Sequence, residues 1–378
     1  MKLGKIACVL LSVGLFICTA LPAQAKTSSS AKQKSATSQG TADSSAQAGS
    51  NGQPALSSVA GLVADAGTGQ IYYQKDMHAR MYPASITKIL TGLVSVENGS
   101  PSDVITVPQD VTQAQGSSVA NIALVPGDTI TMEQLEYTMF LASANDSAVA
   151  IADHIGGSVS AFVDMMNQKA ASLGAQDSHF STPNGLPDPN NYTSAYDMAL
   201  ITRAAAQNPT LMQYLSARSF TLPASALRKE AQSFTTLHKM MKKTAYYDAD
   251  VEAGKTGWET MSGNTLVTVA QKNGRTLIAV VLNGANSEAI YGDTRRLLDY
   301  AFAQPADPTA EKLVTPQATV ETTAVEANAP AQAPKVRASS GISWNVSTEM
   351  VAVTCLGLLI CTVVALVCWR VRRRGFLD

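Results

Sequence analysis

The distribution of large apolar residues constrains this chain most, because only one stretch of it can build a core. Lys26–Pro54 contains no Ile, Leu, Val or aromatic residue at all. Such a stretch cannot offset the entropy of ordering, so residues 26–54 read as a disordered spacer. From Ala306 the composition shifts to Ala, Pro, Thr and Glu, so residues 306–345 read as a flexible stalk. Between them lies a single unit, 55–305, long enough for one folded domain.

Both ends of the chain are apolar in a different way. Lys2 and Lys5 precede the nearly unbroken apolar run Ile6–Leu21, and Ala23-Gln24-Ala25 supplies small residues for cleavage. Residues 1–25 therefore read as a secretory signal; an uncleaved anchor would export the body equally. Met350–Trp369 carries no charge and is followed by Arg370, Arg372, Arg373 and Arg374. A run of about 20 apolar residues crosses a bilayer core, and basic flanks stay on the cytoplasmic side. The expectation is a transmembrane helix over 348–369 and a basic cytoplasmic tail over 370–378. The domain then works on the extracytoplasmic face of the cell membrane. Cys8, Cys18, Cys355, Cys361 and Cys368 all lie in the two apolar runs, so the exported body has no disulfide framework. A formal net charge of −1 gives no basic field for nucleic acid.

Within 55–305 the hydrophobic period changes along the chain. Val59–Asp65 and Gln70–Tyr73 are short strand patterns around Ala66-Gly67-Thr68-Gly69, a hairpin signal. Helical patterns follow at Ser85–Glu97, Met132–Leu141, Ser147–Ile155, Val159–Leu173 and Ala195–Gln207. Leu266–Gln271 and Thr276–Asn283 read as a second hairpin, and Gly292–Ala303 as a closing helix. Strands at both ends with helices between predict an α/β (α+β) domain. Its antiparallel sheet is formed by both ends and packs on a mainly helical region.

The chemistry begins with a lysine in an apolar setting. In "MYPASITKILTG", Ser85 stands three residues before Lys88, and positions i and i+3 share a helix face. A desolvated lysine loses pKa and becomes a usable base for a neighbouring hydroxyl. A start at the helix N-terminus adds N–H groups for developing negative charge. The four histidines, His78, His154, His179 and His238, are scattered without metal-ligand spacing, so no metal site is expected. No Gly-x-Ser-x-Gly elbow is present. The same Ser-x-x-Lys spacing occurs at Ser29–Lys32 inside the spacer, so the pair alone decides nothing.

Two further elements complete a site. Ser143-Ala144-Asn145 offers a proton-relaying hydroxyl and an amide for substrate. Lys255-Thr256-Gly257 offers a cation for a carboxylate, with a glycine permitting close approach of a strand. Ser262-Gly263-Asn264 repeats the Ser-x-Asn pattern in an expected turn and reads as structural.

Ser-x-x-Lys, Ser-x-Asn and Lys-Thr-Gly in this order resemble the signature of penicillin-binding proteins and class A β-lactamases. With "VADAGTGQIYYQKD", "LASANDSAVAIADHIGG" and "TPNGLPDPNNYTSAYDMALI" the chain looks like a low-molecular-mass D-alanyl-D-alanine carboxypeptidase from about Val59 to Phe302. The resemblance implies a β-lactamase/DD-peptidase-like fold and a serine peptidase without cofactor. Its substrate would be a peptidoglycan stem peptide ending in D-Ala-D-Ala, with β-lactams as covalent inhibitors. It implies Ser85 as nucleophile, Lys88 as acylation base and Ser143 as helper in deacylation. Asn145, Lys255, Thr256 and Gly257 would bind substrate, and the N–H groups of Ser85 and Trp258 would form the oxyanion hole.

The sequence departs from that family at Ala144, at Glu259, and at Ala289-Ile290-Tyr291, where relatives often carry a basic residue. A D,D-endopeptidase would use the same residues with a wider cleft. A β-lactamase would need a deacylating Glu-x-x-Leu-Asn, and between Asn145 and Lys255 only Glu230 and Glu252 occur, neither in that pattern. A non-catalytic wall-binding module would not be expected to keep all six polar site residues.

Overall fold

The computed structural model describes residues 52–316. The predicted signal, the transmembrane helix over 348–369 and the basic tail lie outside the described residues, as do most of the spacer and stalk. Among the described residues no helix is long and apolar enough to cross a membrane.

The chain opens with the expected hairpin, β1 (Ala60–Asp65) and β2 (Ile71–Lys75). A 3₁₀ turn, Ala84–Thr87, runs directly into α1 (Lys88–Asn98). A small antiparallel pair, β3 (Val104–Thr106) and β4 (Thr129–Thr131), leads to α2 (Met132–Leu141). Thr131 and Gln134 close a capping box at the start of α2, satisfying two otherwise orphaned N–H groups. Then come α3 (Asn145–Gly156), α4 (Val159–Ser172), α5 (Ala195–Ala206) and α6 (Pro209–Leu215). A second small pair is β5 (Ser219–Leu222) with β6 (Gln232–Thr235). The chain returns to the main sheet through β7 (Val251–Glu259), β8 (Gly263–Lys272) and β9 (Arg275–Gly284), and closes with α7 (Ser287–Ala303).

The main sheet is antiparallel, in the order β2-β1-β9-β8-β7. Leu62 pairs with Val280, so the two ends of the domain meet at the centre of the sheet, as the strand patterns predict. Both faces are covered, and the alternation of side chains along each strand divides them between two cores. Leu62, Val267, Val269, Ile278 and Val280 face the helical region with α1 and α5. Val63, Leu266, Leu277, Ala279 and Val281 face α7 through Ile290, Leu297, Leu298 and Ala301. Among the described residues β7 stands at one edge, with no strand paired to its outer side.

Residues 306–313 stay on the domain, past the expected boundary at 305. Ile71 donates its N–H to the Glu311 carbonyl at 2.8 Å, and Leu313 donates to the Gly69 carbonyl at 2.8 Å. Leu313 is buried and anchors this strap, whereas its neighbour Val314 is exposed.

Candidate active site

The turn that carries Ser85 and Lys88 is tighter than the α-helix the spacing predicts. In a 3₁₀ turn residues three apart eclipse one another, so Ser85 lies directly over the first residue of α1. Lys88 Nζ is 2.9 Å from Ser85 Oγ. Ala84, with φ 51°, sets the entry to this turn, and the Pro83 carbonyl accepts from Thr265 Oγ1 at 2.9 Å. The turn that carries Ser85 is thereby tied to β8. Gly185 is required beside it: a Cβ there would lie 2.0 Å from the Ala84 carbonyl oxygen, at φ +80°.

Lys88 is fully buried within α1. Its other contacts are Asn145 Oδ1 at 2.7 Å and the Asn184 carbonyl at 2.6 Å. Burial, and then the positive charge of Lys255, hold its pKa well below the ordinary lysine value. The neutral amine has two N–H groups and one lone pair. Amide and backbone carbonyl oxygens can only accept, so the two hydrogens go to Asn145 and Asn184. The lone pair is left facing the Ser85 hydroxyl, the one partner able to donate. In this geometry the neutral Lys88 amine is able to accept the Ser85 hydroxyl proton.

Asn145 begins α3, and Ser143 stands just before it with φ 56°. Ser143 Oγ lies 3.0 Å from Lys255 Nζ, which also donates to the Thr256 carbonyl at 2.7 Å. The structure therefore pairs Ser143 with Lys255, and Ser143 makes no direct hydrogen bond to Lys88. Lys255 is 2% exposed, and burial lowers its pKa to about 7. Two buried ammonium groups disfavour each other's charge, so the centre favours one proton fewer than two free lysines would carry.

Lys255-Thr256-Gly257 lie within β7 itself, on the free edge of the sheet. A Cβ at Gly257 would come 2.4 Å from Thr265 Oγ1 and 3.0 Å from the Ser85 backbone nitrogen. Only glycine lets the strand pass this close to Ser85. Ser85, Ser143, Asn145, Thr256, Gly257 and Trp258 line one cleft of about 310 Å³, and Lys88 and Lys255 lie beneath them. The expected turn residue Ser262 accepts from the Glu259 N–H at 2.9 Å and only shapes the β7–β8 turn.

None of the histidines reaches Ser85 through a hydrogen bond among the described residues. His238 is buried against Thr268 at 2.9 Å, with its pKa lowered to about 3 by burial and by Arg218, so it stays neutral. Among the described residues no three His, Cys, Asp or Glu side chains gather as metal ligands.

Two supports of the site escape reading by spacing. Asn184 reaches Lys88 through its backbone carbonyl, which its residue type does not betray. Asp146 is buried and accepts from the N–H groups of Ile122 and Leu124, at 3.2 and 3.0 Å, and from Gln115 Nε2 at 3.1 Å. It clasps the loop whose residues Ser118, Val119 and Ala120 form one cleft wall. Its position directly after Asn145 was the available signal.

Residues 47–286, more than half of the chain, match the protein-family model described as D-alanyl-D-alanine carboxypeptidase. The chain belongs to this family. Among curated relatives it is similar to the D-alanyl-D-alanine carboxypeptidase DacD of Salmonella typhimurium, 31% identical over 258 residues, covering 65% of this chain and 63% of that protein. It is likewise similar to DacF of Bacillus subtilis, 31% identical over 251 residues, covering 65% of this chain and 62% of the relative. The chain thus spans somewhat under two thirds of the length of these relatives. Among solved structures, a D-alanyl-D-alanine carboxypeptidase of Mycobacterium tuberculosis aligns at TM-score 0.61 and 28% identity, covering 68% of this chain and 95% of that one. A Streptomyces DD-transpeptidase variant aligns at TM-score 0.63 and 25% identity, covering 67% of this chain and all of that one. The mixed α/β fold with its antiparallel sheet matches these DD-peptidase structures.

Proposed function

We propose that the protein is a serine-type D-alanyl-D-alanine carboxypeptidase that removes the terminal D-Ala from peptidoglycan stem pentapeptides. The observation that carries this reading is the buried Lys88 Nζ, 2.9 Å from Ser85 Oγ, with Asn145 Oδ1 and the Asn184 carbonyl as its other two partners. Ser85 Oγ attacks the carbonyl carbon of the penultimate D-Ala while Lys88 takes the hydroxyl proton. The N–H groups of Ser85 and Trp258 receive the oxyanion. The C–N bond breaks, the D-Ala amine leaves with a proton, and an acyl-enzyme remains on Ser85. Water, deprotonated with the help of Ser143 and the two lysines, then releases the shortened peptide.

The substrate adds to the free edge of β7 as an extra strand, with Gly257 permitting its approach and Asn145 holding its amide. Lys255 and Thr256 hold the terminal carboxylate. β-Lactams acylate Ser85 as mimics of D-Ala-D-Ala. The leader over 1–25 exports the domain and the span over 348–369 anchors it. Catalysis then takes place at the outer face of the cell membrane, with the C-terminus in the cytoplasm.

The test is release of D-Ala from a pentapeptide by the full chain, with crosslinked muropeptide as the competing substrate. Faster release from the pentapeptide is expected. Preferential cutting of the crosslink would replace the carboxypeptidase by an endopeptidase, and no release from either would overturn the enzymatic reading.

A further inference from the structure

Behind the cleft, two consecutive backbone carbonyls of one loop are both held by side chains of α1. The Asn184 carbonyl takes a hydrogen of Lys88 at 2.6 Å. The Pro183 carbonyl accepts from Thr91 Oγ1, and no other hydrogen bond reaches it among the described residues. Thr91 stands one turn after Lys88, so the two side chains share a helix face and grip adjacent links of the loop. Thr91 is fully buried. A threonine inside a helix ordinarily returns its hydroxyl to a carbonyl of the preceding turn. Here the hydroxyl leaves the helix instead. Its other neighbour, Met166 Sδ at 3.9 Å, is a weak acceptor, so its one hydrogen goes to the loop.

The rest of the loop is secured elsewhere. Asn167 brackets Phe180, accepting from its N–H at 2.9 Å and donating to its carbonyl at 2.7 Å. Asn191 Oδ1 accepts from the Ser181 N–H at 3.2 Å. Within the turn, Thr182 Oγ1 accepts from the Gly185 N–H at 3.1 Å and Asn184 Oδ1 from the Leu186 N–H at 3.0 Å. These bonds shape the turn, but none of them fixes its distance from α1. Apart from Lys88 itself, Thr91 is the one hydrogen-bonded tie from 183–184 to that helix among the described residues.

Lys88 depends on that distance. Withdrawing the Asn184 carbonyl leaves one N–H of the buried amine unpaired, and the amine can then turn a hydrogen rather than its lone pair toward Ser85. The same carbonyl favours the ammonium over the neutral amine, so its withdrawal also lowers the pKa of Lys88 further. The charged groups facing Lys88 are Lys255 and Glu259 from β7 and Asp146 from α3. Thr91 hydrogen-bonds to none of them, so a change at Thr91 reaches the lysine through the carbonyl and not through charge.

We propose that Thr91 is a positioning residue for acylation: it holds the 183–184 backbone at the depth where the Asn184 carbonyl keeps the Lys88 amine oriented on Ser85. This rests on the carboxypeptidase reading, in which Lys88 takes the Ser85 proton. Thr91 itself touches neither substrate nor the reacting atoms.

The experiment measures the rate constant of penicillin acylation across pH for the full chain and for Thr91→Val, Thr91→Ala and Thr91→Ser, per folded molecule as judged by circular dichroism. Valine keeps the shape of threonine and removes the donor. Thr91→Val should acylate about tenfold more slowly on the plateau, the worth of one hydrogen bond expressed in a rate, and the acid limb of its profile should move to lower pH. Thr91→Ser keeps the hydroxyl and should restore both plateau and limb, which a mere loss of packing would not allow. Thr91→Ala gives the same reading as valine with more room. A Thr91→Val plateau equal to wild type, a slowed variant whose limb stays in place, or a Thr91→Ser as slow as Thr91→Val overturns the inference while the enzyme stays a carboxypeptidase. Failure of both Thr91→Val and Thr91→Ala to fold overturns it too, because Thr91 then serves the fold alone. A wild type that forms no penicillin adduct on Ser85 and releases no D-Ala overturns the underlying reading and this inference with it.

Discussion

Lys255→Met should stabilise the folded domain while removing the cation the cleft needs. Burial holds Lys255 at about 7 against an ordinary 10.5. Each pH unit between those values costs about 1.4 kcal/mol, so the folded state gives up roughly 5 kcal/mol to keep this lysine at pH 6. The sign follows from proton binding. The unfolded lysine binds its proton more tightly, so the cost is fully present below about 7 and disappears as pH rises toward 10.5. Methionine has a similar length and no charge to desolvate. It forfeits the contacts to Ser143 Oγ at 3.0 Å and the Thr256 carbonyl at 2.7 Å, worth about 1–3 kcal/mol together. The net expectation at pH 6 is a gain of roughly 2–4 kcal/mol, about 5–10 °C in Tm for a domain of this size. At pH 10 the gain should vanish or reverse, because the unfolded lysine is then largely neutral as well. Urea unfolding of the 52–316 domain at both pH values measures this directly. A variant less stable than wild type at pH 6, or one whose difference is the same at pH 6 and pH 10, refutes the argument that Lys255 is held against its burial.

The pH profile of kcat/KM should rise as Lys88 loses its proton, well below the ordinary lysine range, and fall again above about 7 as Lys255 loses its charge. A profile still climbing at pH 9 would exclude the depressed pair. Lys88→Met should reduce penicillin acylation by about 10²–10⁴-fold, the range for loss of a positioned base, in a protein that circular dichroism shows to be folded. Asp146→Ala removes the acceptor shared by Ile122 and Leu124 and should cost roughly 2–4 kcal/mol of stability, measured by thermal unfolding. Gly185→Ala drives a methyl into the Ala84 carbonyl and should slow acylation even where the domain still folds, read from penicillin labelling kinetics.

Much of this molecule is legible in its sequence, and the reason is periodicity. Met132–Leu141 and Val59–Asp65 are marked by clear apolar spacing and turn residues, and they appear within one residue of expectation. The strands around Leu266 and Thr276 extend one to three residues beyond their apolar patterns, because pairing carries a strand into polar residues such as Asn264 and Lys272. Short elements such as β3, β4, β5 and β6 have too few residues to show a period and are made by tertiary context.

The site followed the same division. Ser85, Lys88, Ser143, Asn145, Lys255, Thr256, Gly257 and Trp258 could be picked by residue type and order, and the fold brings them together at one cleft. What stayed hidden were contacts made by backbone, such as the Asn184 carbonyl on Lys88. The pairing of Ser143 with Lys255 was hidden too, since it depends on where β7 passes α3. The 3₁₀ turn at Ser85 belongs to that hidden class, because Thr265 and Gly185, both distant in sequence, hold it in place.

The central claim is that Ser85 is a nucleophile activated by Lys88. Its most direct test is mass spectrometry of the protein after exposure to a penicillin. A covalent adduct on the peptide containing Ser85, absent in Ser85→Ala and formed far more slowly in Lys88→Met, is the predicted result. No adduct on wild type, or an adduct of equal yield in Ser85→Ala, would contradict it.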